Sequence, residues 1–87
     1  TLEEFSKLVD DWQFERNRLD VAHVTAVGAM SLYPNEPQAH LLSARTFKAL
    51  GQTNRAIDEY RNVLIIDPNN ATASSELNKL NLPVSNL

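Results

Sequence analysis

Residues 37–70 read PQAHLLSARTFKALGQTNRAIDEYRNVLIIDPNN, and the order of breakers and apolar residues in this stretch decides the fold. Pro37 suits the first turn of a helix, where its missing N–H has no intrahelical partner to lose. Apolar and small residues recur at helical spacing as far as Leu50, and Gly51 follows as a left-handed C-terminal cap. Thr53 or Asn54 then caps a second helix, which carries Ala56, Ile57, Tyr60, Val63 and Leu64 and stops before Pro68. The stretch predicts two helices joined by a tight turn.

The same arrangement precedes it. Tyr33-Pro34-Asn35 and Asp67-Pro68-Asn69 set two prolines 34 residues apart, each after an apolar run. The same shift aligns Ala22 with Ala56, Ala29 with Val63, Met30 with Leu64 and Leu8 with Leu42. Small, apolar and proline positions therefore agree at one period, the mark of a repeated supersecondary unit. A helix is predicted from about Leu2 to Asn17, with Leu2, Phe5, Leu8, Val9 and Trp12 as its apolar face, and another from about Asp20 to Tyr33. Asn70 caps a fifth helix over Ala71 to Leu82, broken by Pro83, and the tail Val84 to Leu87 has no visible anchor.

Residues 37–70 resemble the tetratricopeptide repeat, whose 34-residue motif places small and aromatic residues at fixed points on two helices before a closing proline. Those places hold His40, Ser43, Ala44 and Phe47, then Ala56, Tyr60, Val63 and Pro68. His40 and Ser43 depart from the pattern, standing where a large aromatic and a leucine are usual. Residues 3–36 form a degenerate copy that keeps Ala22, Ala26, Ala29 and Pro34, has Val9 at the leucine place, and has Ser6, Asp10 and Gln13 elsewhere. The next segment has Leu77 at the leucine place and one helix only. The resemblance implies an all-α domain over 1–87: a degenerate repeat at 3–36, a repeat at 37–70, a capping helix at 71–82 and a tail at 83–87. Its helical hairpins would stack as an α-solenoid of about five helices. Such arrays need about three units for stability, so the chain is expected either to be a piece of a longer protein or to self-associate.

The family's mechanism is binding, with the first helix of each pair lining a concave groove. The core face of the third helix is then Ala39, Ser43, Phe47 and Leu50, and Gln38, Leu41, Leu42, Arg45, Lys48 and Ala49 project from the other side. The first helix would contribute Glu4, Lys7, Leu8, Asp11, Phe14 and Glu15. The candidate partner-binding residues are Lys7, Asp11, Phe14, Leu41, Leu42, Arg45 and Lys48. Apolar anchors among them would hold a peptide or helix, and the charges would select its register. Four have a blander reading: Arg45 and Lys48 as a solvated face, Leu42 as packing against the neighbouring first helix, Phe14 as packing against a further domain. The family's chaperone-tail clamp is not expected. Lys7 sits at its first place, but Asp11, Leu42, Thr72 and Glu76 replace the other four. The expected function is a protein–protein interaction module that takes a protein or peptide ligand, with self-association through the same helices as the alternative.

Composition narrows the remaining classes. The chain has 87 residues and no Cys, which removes disulfides, thiolate metal sites and thiol nucleophiles. Eight Lys and Arg against eleven Asp and Glu give a net charge of −3, so no basic footprint for nucleic acid is expected. Hydrophobic residues at 43% and charged residues at 22% are ordinary for a folded domain. The longest apolar run, Val63 to Ile66, is too short to cross a bilayer, and no signal-peptide pattern is read. The compartment is not determined, with the cytoplasm favoured. His23 and His40 read as packing residues without further metal ligands at a suitable spacing. Asp10-Asp11 and Asp58-Glu59 read as solvated helix faces, and Asn70-Ala71-Thr72, a glycosylation sequon by pattern, reads as a cap. No phosphate loop or nucleophile elbow is present. No enzyme activity and no cofactor are expected.

Overall fold

The computed structural model describes the backbone of residues 1–85 and the side chains of residues 1–80. Among the described residues every regular element is helical. Helix α1 spans Leu2–Asp10, a π-helical turn covers Asp11–Glu15, and α2 (Leu19–Leu32), α3 (Pro37–Ala49), α4 (Thr53–Ile66) and α5 (Ala71–Ser85) follow. Each helix packs chiefly on its neighbours in sequence, most extensively α3 on α4, so the helices form a stack of hairpins.

The helix ends show which local signals were decisive. Thr1 opens α1, its Oγ1 accepting from the Glu4 N–H at 3.3 Å. The first helix, expected to run regularly to Asn17, widens at Asp11. The Arg16 N–H donates to the Asp11 carbonyl at 2.9 Å and its Nε to the Asp11 carboxylate at 2.8 Å, a five-residue closure that favours the wider turn. Asn17 then takes φ +53°, a left-handed value that asparagine tolerates. Gly51 has φ +80° and completes a Schellman cap: its N–H donates to the Lys48 carbonyl and that of Gln52 to the Phe47 carbonyl. Neither Thr53 nor Asn54 caps α4. That place falls to Gln52, whose side chain makes no capping bond, because the Gly51 turn leads directly into the helix. Asn70 does cap α5, accepting from the Ala73 N–H at 2.9 Å.

Helix α5 passes through Pro83 to Ser85 rather than breaking at Leu82. Proline's fixed φ is helical, so the backbone can continue through it at the loss of the one hydrogen bond that its absent N–H would have made. Val84 and Ser85, expected in an unanchored tail, thus belong to α5, whereas 86–87 lie outside the described residues.

Two apolar clusters share α3. Val9, Ala22, Ala26, Ala29, Ala39 and Leu42 form the first, with Leu2, Phe5, Trp12, Met30 and Tyr33 packed around them. Ala44, Phe47, Ala56, Tyr60, Val63 and Ala73 form the second, bordered by Leu41, Leu64, Leu77 and Leu80. Alanine dominates the contacts of α2, which lets the helices approach closely. Two expectations are corrected here. Leu8 is 48% exposed instead of sharing the apolar face of α1, which Val9, Leu2, Phe5 and Trp12 occupy. Glu59, expected in solvent, is buried: Asn62 Nδ2 donates to its Oε1 at 2.7 Å, and His40 Nδ1 lies 3.5 Å from its Oε2.

Candidate functional site

The pattern of apolar positions on α3 turns two faces inward, leaving a third between α1 and α5. Ala39 and Leu42 go to the first cluster, Ala44 and Phe47 to the second. The remaining side chains line a cleft of about 420 Å³, walled by Gln38, Leu41, Leu42, Arg45 and Lys48 of α3, Tyr60 of α4, and Thr72 and Glu76 of α5. A second cleft, also about 420 Å³, lies along α1 and the π-helical turn and is lined by Lys7, Asp10, Asp11, Phe14 and Glu15.

The seven candidate residues therefore fall into two groups, Leu41, Leu42, Arg45 and Lys48 in one cleft and Lys7, Asp11 and Phe14 in the other. Arg45 joins them. Its guanidinium donates to Asp10 Oδ1 at 2.7 Å and sits 5.8 Å from the centre of the Phe14 ring, within cation–π range. Phe14 is 66% exposed and Lys7 is exposed, paired with Glu3 at 3.7 Å. Leu42 is corrected from groove wall to floor. At 1% exposure it belongs to the packing between α3 and the α1–α2 pair and offers a ligand almost no surface. Leu41 is half-buried at the edge of the second cluster.

The basic residues are not free solvated charges. Lys48 Nζ donates to Glu76 Oε2 at 2.8 Å, tying α3 to α5 as Arg45 ties it to Asp10 of α1. Lys48 hydrogen-bonded to the Glu76 carboxylate holds that carboxyl below the usual glutamate range, outweighing burial, which acts the other way. Burial pushes the Tyr60 phenol up; the Glu76 charge adds to this and Arg45 opposes it. Tyr60 and Asp10 are the participants that sequence reasoning did not place, and it met Glu76 only as a misfit at the chaperone-tail clamp, without its pairing to Lys48. Tyr60 counted wholly as core, although an amphipathic tyrosine with a buried ring can leave its hydroxyl end at the cleft. Asp10 and Glu76 lie 35 and 28 residues from their partners, beyond any local pattern.

The histidines sit as packing residues. His40 Nε2 lies 2.8 Å from the Pro34 carbonyl, and the His23 ring packs at 4.8 Å, tilted, on Phe47. Among the described residues no three His, Asp or Glu side chains group as metal ligands would, and no helix is long and apolar enough to cross a membrane. The arrangement can hold an apolar side chain against Leu41 while hydrogen-bonding backbone or charged groups from Gln38, Thr72, Arg45 and Lys48. Neither the family models nor the curated proteins compared with the chain match it.

Proposed function

We propose that the chain is a tetratricopeptide-type interaction module that holds a peptide or helix of another protein in the cleft along α3. One observation carries this reading: on one side of α3 the apolar edge of Leu41 converges with the polar ends of Gln38, Arg45, Lys48, Thr72 and Glu76. The 34-residue register of Pro34 with Pro68 and Ala22 with Ala56 supports the family, and the hairpin stack suits a solenoid. The partner is a protein or peptide segment with an apolar anchor flanked by both signs of charge, because every charge in the cleft is already half of an ion pair and an incoming charge must exchange with one.

Selection of peptides from a displayed random library against the whole chain tests this directly. Selected peptides should lose roughly tenfold or more in affinity for Leu41→Glu, which replaces the apolar contact of the anchor with a carboxylate. Circular dichroism would verify that the variant folds. Peptides that bind Leu41→Glu as tightly as the parent chain would place the binding surface elsewhere.

A further inference from the structure

Helix α2 is built inside out. Ala22, Ala26 and Ala29 are fully buried, while Val24 is 68% and Val27 38% exposed. By 100° per residue, Asp20, Val24, Val27 and Ser31 fall within an arc of about 60°, roughly opposite the alanines. The spacing of this stripe is that of a heptad seam. No Asp, Glu, Lys or Arg occurs from Val21 to Asn35, so the stripe has no charge along its middle. A helix apolar on all sides is ordinarily covered on all sides.

The chemistry along the stripe reads carboxylate, apolar, apolar, hydroxyl. That order is complementary to itself when reversed. Set antiparallel with Val24 on the partner's Val27, it brings Ser31 to the partner's Asp20, a hydroxyl donor onto a carboxylate acceptor. A parallel arrangement would stack Asp20 on its own copy. Arg18 adds to the preference. It holds Asp20 through two bonds of 3.2 Å, and the antiparallel register carries its cation to the carbonyl end of the partner helix, where positive charge is favoured. We propose that this face of α2 binds α2 of a second copy of the chain, antiparallel across a two-fold axis. The inference does not rest on the cleft reading, since α2 lines no part of that cleft.

The chain has no cysteine, so single cysteines report the register cleanly. Sedimentation equilibrium of the whole chain should show a monomer–dimer equilibrium. Val24→Lys should weaken it by roughly a hundredfold while helicity is kept, because position 24 is open in the monomer. Ser31→Asp should also weaken the dimer, by setting like charges together, and adding Asp20→Ser to it should restore association. In an equal mixture of Val24→Cys and Val27→Cys chains, a short thiol cross-linker should join unlike chains in preference to like ones. A monomer at every concentration, a dimer indifferent to Val24→Lys, or preferred Val24→Cys homodimers would each overturn the proposal.

Discussion

Ser43 is fully buried on α3, and its hydroxyl finds no partner. An unpaired buried hydroxyl is a standing cost, and alanine is also the better helix former. Ser43→Ala should therefore raise the urea midpoint, by the equivalent of about 1 kcal/mol. A lower midpoint would mean that the hydroxyl has a partner, such as an ordered water. Gly51 isolates a different effect. A side chain there would meet nothing within 4 Å, so any penalty comes from φ +80° alone. Gly51→Val should cost about 1–2 kcal/mol and Gly51→Asn distinctly less, because asparagine enters the left-handed region more readily. Equal losses in thermal denaturation would refute the backbone explanation. Gly51 and the Asn70 cap were legible because their physics is confined to a few adjacent residues. Glu59 was not, and Leu42 read two ways, as groove wall or as packing on the first helix, because whether a side chain on a helix flank meets solvent depends on where the next helix lies.

At the scale of elements, α3 is tied to α1 by Asp10–Arg45 and to α5 by Lys48–Glu76. The second pair has a pH signature. The Glu76 carboxyl is lowered in the folded chain, so the stability it contributes is complete above the ordinary glutamate range, near pH 4.3, and is lost as pH falls through the lowered folded-state value. Lys48→Met should reduce the difference in denaturation midpoint between neutral and acid solution; an unchanged difference would show that the pair contributes nothing to stability. The pairs also alter what charge reversal would do. Glutamate at position 45 or 48 would face Asp10 or Glu76, so folding as well as binding would suffer. Helix starts and stops followed from Pro37, Gly51, Pro68 and Asn70, whose preferences are strong. The π-helical turn and the passage of α5 through Pro83 did not, since each depends on bonds that rival a default rule.

Across the whole molecule, α3 is the wall shared by two clusters, and the body measures 38 × 26 × 16 Å. In so thin a body even central side chains lie near a surface, which is why alanine fills so much of the interior. This also explains what the sequence concealed about α2. A helix apolar all round has no periodic contrast to reveal which side faces inward, and small residues were chosen for the packed side. The repeat register predicted the number and order of helices. The cleft emerged only once α5 stood beside α3, bringing Thr72 and Glu76 opposite Lys48.

Packing between sequence neighbours also bears on how the chain comes to be folded as it is made. Low separation between contacting segments places a protein among fast folders. Helix α2 can close on α1 before α3 has emerged from the ribosome, and no early segment has to wait for the last one. The exception is α3 itself. From its emergence until α4 arrives, the face bearing Ala44 and Phe47 is covered only where His23 of α2 reaches the Phe47 ring. That interval is the one of greatest risk during synthesis: it ends only when residues 53–66 have left the ribosome, and a pause that delays their exit would lengthen the time for which the face is open to chaperones or to aggregation.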